Sequence, residues 1–249
     1  DVKIGICTGG GDCPGLNAAI RAAVKYASCH HKMEVIGILN SFNGLSSPSV
    51  KFRPLPLECV TDILPKGGTI LGTDNRGNAF SGPKGAKNLH QSLENIKKLN
   101  LDALVVIGGE GTQSMCQTIA GKGARVIGIP KTIDNDLPGT DTTIGFSTSV
   151  DIVSEAVERL QSTAESHDRV MILEVMGRDS GYIALHGGIA GGAHVILIPE
   201  IPFSFPSVLT KSHFLAQSAP RATLRPSSLL GNFFSRSSSS CILEFFRLI

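Results

Sequence analysis

The sequence predicts an α/β fold built around a parallel sheet, and three observations support this prediction. Apolar runs typical of buried strands alternate along the chain with segments in which apolar residues recur at helical spacing. The runs are continuously apolar rather than alternating, which favours parallel strands that helices cover on both faces. Glycine-rich turns follow several of the runs, and 28 of the 249 residues are glycine.

The expected elements follow one another in a regular order. Strand-like runs lie at residues 3–8, 35–39, 104–107, 126–129, 170–175 and 194–198. Pro14 and Gly15 open a first helix, because proline is favoured in the first turn of helices. Helical spacing of apolar residues predicts further helices over residues 86–99 and 150–164. A helix over residues 113–120 is expected after the glycine turn that follows the run 104–107.

The segment Pro130–Asp136, with the sequence PKTIDND, directly follows the apolar run 126–129. Open α/β sheets bind their ligands at the carboxyl ends of strands. One residue separates Asp134 from Asp136 at this position, and Lys131 lies next to them. This set suits phosphoryl transfer, since one acid can accept a hydroxyl proton, another can help hold Mg²⁺ and a cation can stabilise phosphate oxygens. An ordinary acidic turn is the alternative interpretation of this segment.

Two glycine-rich turns favour the binding of phosphate groups. Gly108–Thr112 follows the run 104–107 and precedes a helix, so backbone and helix N–H groups can approach a phosphate. Glu110 in this turn can hold Mg²⁺ directly or through water. Gly9–Gly11 repeats the arrangement, but it is not a P-loop, and Pro14 breaks the dinucleotide-binding fingerprint. Tight strand-to-helix turns without a ligand are the alternative.

A third polar segment, Val175–Gly181, again follows an apolar run. Arg178 lies at the expected strand end, where its forked guanidinium group can bind an anionic substrate. Arg169 precedes the same run and is a second candidate for binding an anionic substrate. The alternative is that Arg169 is solvated or caps the preceding helix.

Together these segments resemble the phosphofructokinase family. The motifs GGGDCPGLNAAIR, GGTILGTDNRGN, GGEGT, PKTIDND, TIGFSTSVD and EVMGRDSGYIALHGGIAGG appear in that family's order and spacing, over roughly residues 2 to 203. The resemblance implies a glycolytic kinase, which transfers a phosphoryl group to the 1-hydroxyl of fructose 6-phosphate. It also implies two Rossmann-like subdomains with parallel sheets: a donor-binding subdomain over 1–140 and the incomplete start of a fructose 6-phosphate subdomain over 141–203.

The resemblance further implies a role for each matching residue. Asp134 matches the base that accepts the sugar hydroxyl proton, with Lys131 and Arg178 as further catalytic residues. Glu110 and Asp136 match the acids associated with Mg²⁺. The expected donor-binding residues are Gly10, Arg76, Gly108, Gly109, Glu110, Gly111 and Thr112. The expected sugar-binding residues are Thr132, Ile133, Asp134, Arg169, Met176, Gly177 and Arg178. Arg169 matches an arginine that reaches into a neighbouring subunit, which implies a homo-oligomer.

Two positions bear on the phosphate donor. In this family a glycine at the position of Gly111 leaves room for the α-phosphate of a nucleotide, whereas aspartate favours pyrophosphate. Lys131, however, is typical of pyrophosphate enzymes. We expect ATP to be the donor, because a missing side chain permits the larger molecule and a flexible lysine can swing aside. Pyrophosphate is the alternative.

The segment 204–249 departs from this pattern. It has a single acidic residue, Glu244, against five basic ones, and it includes the run Ser237–Ser240. This composition resists compact folding, so we expect a disordered, divergent tail. We favour the hypothesis that the reading frame leaves the family's coding sequence near Phe203 over that of a basic arm for nucleic acid or membrane. An inactive fragment that only binds nucleotide is therefore a further alternative to an enzyme.

Cysteine usage and hydropathy indicate the compartment. The six cysteines form no CxxC pair, which favours free thiols in a reducing environment. No apolar run reaches membrane-spanning length, and we expect neither membrane nor nucleic acid as a partner. We expect a cytoplasmic location, with a plastid as the alternative because the sequence begins inside the first strand.

Overall fold

The computed structural model of the chain describes residues 2–75, 77–167, 170–204 and 240–245. Among these residues, those up to Thr132 together with Leu137–Gly145 form one compact unit. Ile133–Asp136 and the residues from Phe146 onward form a second unit. Both units combine a sheet with helices, so the predicted α/β fold is confirmed. The chain crosses from one unit to the other within the PKTIDND segment.

A six-stranded sheet forms the centre of the first unit, with the strand order β3-β2-β1-β4-β5-β6. Neighbouring strands run parallel except for β2 and β3, which are antiparallel. The continuous apolar runs therefore indicated the parallel core of this sheet correctly. The strands are β1 (Lys3–Thr8), β2 (Glu34–Ile38), β3 (Phe52–Pro54), β4 (Ala103–Gly108), β5 (Val126–Thr132) and β6 (Ile144–Gly145).

Helices of the first unit pack their apolar sides on this sheet. Leu89, Leu93 and Ile96, the residues at helical spacing in the predicted helix 86–99, pack against the buried cluster that includes Leu104 of β4. The helices are α1 (Leu16–His31), α2 (Ser41–Leu45), α3 (Leu57–Val60), α4 (Gly85–Lys98) and α5 (Glu110–Ala120), with a short 3₁₀ turn at Thr61–Ile63. None of the helices within the described ranges is long and apolar enough to cross a membrane.

The described part of the second unit contains two helices, α6 (Phe146–His167) and α7 (Tyr182–Gly191), and the strands β7 (Met171–Met176), β8 (Val195–Leu197) and β9 (Ser240–Phe245). Helix α7 packs closely on α6 because it presents glycines at the contact. A Cβ atom at Gly187 would lie 2.5 Å from Val153 Cγ1, and one at Gly191 would lie 2.5 Å from Val157 Cγ1. Side chains at these positions would therefore force the helices apart.

Strand β9 differs from two of our expectations. It lies between β7 and β8 and runs antiparallel to both, so the second sheet is not built from parallel neighbours. It also belongs to the segment for which we expected disorder. Its sequence, SCILEF, is rich in residues that favour strands, and its pairing covers an edge of each neighbouring strand. Residues 205–239 and 246–249 lie outside the described part of the chain, and the prediction of disorder remains a prediction there.

Candidate active site

The two glycine turns of the first unit lie side by side at the carboxyl ends of β1 and β4. These strands are neighbours, and Thr8 pairs with Ile107 at their last common position. The amide of Gly9 donates a hydrogen bond of 2.9 Å to the carbonyl of Ile107. We call the two turns, Gly9–Gly11 and Gly108–Thr112, the glycine cradle.

Close packing around Thr112 requires glycine in this cradle. A Cβ atom at Gly9 would lie 2.7 Å from Thr112 Oγ1, which is closer than Cβ atoms in proteins approach a neighbouring atom. Gly10 has a φ of +81°, a backbone conformation that side chains disfavour. Thr112 itself is buried between the two turns. The structure therefore brings together Gly10, Gly108 and Thr112, which we had predicted to bind the donor.

The outer side of the cradle is open at the start of α5. Gly109 precedes the helix, and Glu110 and Gly111 are its first two residues. Both of these residues are exposed. A Cβ atom at Gly111 would meet no described atom within 4 Å, so the space beside it is accessible. The helix N-terminus at this point provides N–H groups and a positive dipole end, which favour a phosphate.

Lys131 differs from our expectation of a flexible side chain. It is only 4% exposed, and its Nζ donates a hydrogen bond of 2.7 Å to the carbonyl of Gly11. Burial lowers the pKa of this ammonium group, and the neighbouring Cys13 and Asp12 oppose that shift. Lys131 is therefore anchored against the first turn of the cradle and does not swing freely.

The loop that precedes Arg76 also contacts the cradle. The amide of Gly10 donates a hydrogen bond of 3.1 Å to the carbonyl of Asp74. In return, the Thr73 hydroxyl donates a hydrogen bond to the carbonyl of Gly10. Arg76, which we predicted to contact the donor, lies outside the described residues, so its role stays a prediction.

Asp134 belongs to the second unit, on a loop that carries its carboxyl group into a half-buried environment. Burial raises the pKa of this carboxyl group above its ordinary value of 3.8. Asp136 and Asp179 add to the rise, and Arg178 opposes it. A carboxylate with a raised pKa is a stronger proton acceptor than an ordinary one, as a general base requires.

The two residues that precede Asp134 lie in different units. Thr132 is the last residue of β5 in the first unit, where its carbonyl accepts a hydrogen bond of 2.6 Å from the Thr143 hydroxyl. Ile133 packs against the buried cluster of the second unit, which includes Phe146. These two predicted sugar-binding residues are thus held by separate cores.

The predicted sugar-binding segment follows β7 in the second unit. Met176 is 67% exposed, and Gly177 has a φ of +137° at the turn. Arg178 is exposed, and its Nε donates a hydrogen bond of 2.8 Å to Asp179. Its charge acts on Asp134, so the structure brings Arg178 near the predicted base. Arg169 lies outside the described residues.

Sequence reasoning missed one residue that contacts the loop of Asp134. The buried Ser180 donates a hydrogen bond of 2.9 Å from its hydroxyl group to the backbone carbonyl of Asp134. A serine beside a glycine in a turn carries no sequence signal for such a contact, because its partner is 46 residues away.

Glu110 and Asp136, the two carboxylates predicted to hold Mg²⁺, belong to different units. Both are exposed, and each can contribute an oxygen ligand. Mg²⁺ usually binds one or two carboxylates, substrate phosphates and water. Within the described ranges, no group of three or more His, Cys, Asp or Glu side chains is placed to hold a metal ion. Each carboxylate by itself therefore suits an ion that is bound together with phosphate groups.

A sequence model of the family described as Phosphofructokinase matches residues 3–224. The chain belongs to the phosphofructokinase family. The match continues past Phe203, where we expected the resemblance to end.

Three similar phosphofructokinase-family proteins illustrate this relationship. The ATP-dependent 6-phosphofructokinase of Chloroflexus aggregans is 51% identical over 217 residues, which cover 85% of this chain and 60% of that protein. The pyrophosphate–fructose 6-phosphate 1-phosphotransferase of Amycolatopsis methanolica is 48% identical over 209 residues, covering 84% of this chain and 59% of that protein. The solved phosphofructokinase of Saccharomyces cerevisiae has a TM-score of 0.73 and 30% identity, over 88% of this chain and 32% of that chain. This chain thus spans about 60% of the length of the curated relatives it matches.

Proposed function

We propose that the protein transfers a phosphoryl group from ATP to the 1-hydroxyl group of fructose 6-phosphate and releases fructose 1,6-bisphosphate and ADP. The observation that carries this proposal is the environment of Asp134. Its carboxyl group has a pKa raised by burial, and Arg178 lies near enough to act on it electrostatically. A carboxylate beside an exposed arginine suits the deprotonation of a hydroxyl group on an anionic sugar.

In the proposed reaction, Asp134 accepts the proton of the sugar 1-hydroxyl group. The oxygen atom of that hydroxyl group forms a bond to the terminal phosphorus of ATP. The bond between that phosphorus and the bridging oxygen breaks, and ADP leaves with the electron pair. The glycine cradle binds the phosphates of the donor through backbone N–H groups and the N-terminus of α5. Arg178 holds the phosphate of the sugar through its guanidinium group.

Glu110 and Asp136 would hold Mg²⁺ together with the donor phosphates. The ion supplies neutralisation of the charge that develops on the phosphate oxygens. Glu110 is the first residue of α5, so its carboxylate belongs to the glycine cradle itself.

The open space at Gly111 supports ATP as the donor rather than pyrophosphate. A Cβ atom at this position would meet no described atom within 4 Å, so a side chain there would take up space beside the cradle that a nucleotide can otherwise use. Lys131 does not swing aside to admit the donor, because its ammonium group already donates a hydrogen bond to the Gly11 carbonyl. The similarity to both donor classes is nearly equal, with 51% identity to an ATP-dependent relative and 50% to a pyrophosphate-dependent one from Dictyoglomus thermophilum.

A coupled assay with purified protein tests both the activity and the donor. Fructose 1,6-bisphosphate formation is followed with ATP and, separately, with pyrophosphate, each with Mg²⁺ and fructose 6-phosphate. We expect turnover with ATP and none with pyrophosphate. The reverse pattern would replace the donor assignment but keep the phosphoryl-transfer reaction.

A second candidate function is that of a nucleotide-binding protein without turnover. The described residues include the proposed donor site, whereas the match covers 60% of the Chloroflexus relative. Isothermal titration of the same preparation with ATP separates the two candidates. Binding of ATP without turnover with either donor would support the second candidate.

Replacement of Lys131 by Met tests whether this lysine anchors the cradle. Met keeps the length of the apolar stem but removes the ammonium group that holds the Gly11 carbonyl. A hydrogen bond to a charged group contributes about 1.5–3 kcal/mol, so we expect ATP affinity to fall about tenfold or more. Titration calorimetry measures the change. Lys122→Met, which alters an exposed lysine just after α5, serves as the control. Equal ATP affinities for the two variants would contradict an anchoring role.

We also propose that the protein is a cytoplasmic homo-oligomer. The match of Arg169 to an arginine that reaches across subunits supports the oligomer, and the cysteine pattern supports a reducing compartment. Sedimentation velocity and imaging of a fluorescent fusion test the two statements. A monomer across the measured concentrations would contradict the first, and an organellar signal would contradict the second.

A further inference from the structure

The loop Ile133–Asp136 carries Asp134 outside any strand, so no sheet ladder fixes its backbone. Asn135 within the loop has a φ of +52°, a left-handed conformation that asparagine tolerates better than most residues. A loop of this kind needs contacts from elsewhere in its own unit to keep one geometry. The side chain of Ser180 supplies such a contact.

Ser180 is only 6% exposed, and its hydroxyl donates to the backbone carbonyl of Asp134 over 2.9 Å. Both residues belong to the second unit. The bond is made to the backbone of Asp134, so it leaves the carboxyl group available for chemistry. The hydrogen bond therefore fixes the position of the Asp134 backbone and leaves the interactions of the carboxyl group unchanged.

The turn that carries Ser180 is itself anchored. The next residue, Gly181, donates its amide hydrogen to the Glu200 carboxylate over 2.7 Å. Its carbonyl accepts the first hydrogen bond of α7, from the amide of Leu185 at 2.9 Å. Ser180 therefore extends from a rigid helix start toward a loop that lacks regular structure.

We propose that Ser180 is a positioning residue, which holds the loop of Asp134 at a fixed distance from the Arg178–Asp179 turn. The proposal rests on the proposed role of Asp134 as the base. Arg178 and Asp179 precede Ser180 on the same turn, and both act electrostatically on the Asp134 carboxyl group, as does Asp136 on the loop itself. The Ser180 hydroxyl group thus connects the loop of the proposed proton acceptor to the turn that carries Arg178, the proposed ligand of the sugar phosphate.

Amide hydrogen exchange and steady-state kinetics of Ser180→Ala test the proposal in the purified protein. We expect amides of residues 133–136 to exchange about tenfold faster than in the parent protein, because local opening loses a contact worth about one hydrogen bond. We also expect kcat to fall about tenfold with the KM for ATP unchanged, since a displaced base affects the chemical step and not donor binding.

The split between kcat and KM gives a readout that a merely structural role would not move, because a general loss of folding would impair ATP binding as well as the chemical step. Ser180→Thr retains the hydroxyl group and is expected to restore the exchange rate and kcat.

Ser162→Ala is the matched control, because its hydroxyl also donates to a backbone carbonyl in the second unit, but on an exposed face of α6. It is expected to match the parent protein in every measurement. Parental exchange over residues 133–136 in Ser180→Ala, or equal losses in the Ala and Thr variants, would overturn the proposal. If Asp134→Asn retains full turnover, the base assignment fails instead, and the exchange rates alone then decide whether Ser180 holds the loop.

Discussion

Asp134→Asn is expected to lower kcat by about 10²–10⁴-fold, because the amide cannot accept the proton of the sugar hydroxyl. The affinity for ATP is expected to stay within about twofold, since the proposed donor site is the glycine cradle and general-base catalysis acts on the chemical step. Stopped assays with excess fructose 6-phosphate measure kcat, and titration calorimetry measures the affinity. Turnover at the parental rate would remove Asp134 from the mechanism.

The same variant is expected to be more stable than the parent protein at neutral pH. The pKa of Asp134 is raised in the folded chain, chiefly by burial, so folding favours the protonated form. Its contribution to stability is therefore present at low pH and is lost as the pH rises through the raised pKa. Asparagine does not ionise and avoids that loss.

Melting temperatures measured by calorimetry at pH 7 and at pH 4 test whether Asp134→Asn stabilises the protein. We expect Asp134→Asn to melt above the parent protein at pH 7, with a smaller difference at pH 4. Asp151→Asn, which alters an exposed carboxylate on α6, controls for the general loss of one negative charge. Equal melting temperatures of the two variants at pH 7 would contradict a burial cost at Asp134.

Gly111→Asp is expected to reduce kcat/KM for ATP by about 100-fold or more, because the new side chain would occupy the space beside the glycine cradle. No described atom lies within 4 Å of a Cβ atom at this position, so the variant is expected to fold normally. An aspartate in the first turn of α5 also interacts favourably with the helix dipole. Loss of ATP turnover with an unchanged melting temperature would therefore report on the donor site. Unchanged ATP kinetics would contradict the steric argument.

Two further variants separate the size of the side chain from its charge. Gly111→Asn has nearly the volume of aspartate without the charge, and Gly111→Ala adds a single methyl group. A steric mechanism predicts that Asn impairs ATP use almost as much as Asp does, with Ala in between. If Asn behaves like Ala, repulsion between carboxylate and phosphate is the larger effect.

The sequence predicted the parallel strands closely but missed features that depend on distant contacts. Continuous apolar runs indicated β1 and β4, because strands buried on both faces carry little else. Helix α7 escaped prediction because three of its ten residues are glycine, which weakens any helical signal. Its glycines are used to approach Val153 and Val157, so tertiary packing outweighs propensity there.

The candidate site shows the same division. Glycine turns and the PKTIDND motif are local patterns, and they are the basis on which Gly10, Thr112 and Asp134 were predicted as site residues. The burial of Lys131 was not foreseeable, since it depends on a carbonyl 120 residues away in the chain. A lysine is usually exposed, and the expectation of a flexible side chain followed that general preference.

The path of the PKTIDND segment has a consequence for the proposed catalytic residues. Ile133–Asp136 belongs to the second unit, although the residues on both sides of it belong to the first. Asp134 and Arg178 are therefore supported by one core, so the spacing between the proposed proton acceptor and the proposed sugar ligand is a property of that unit alone.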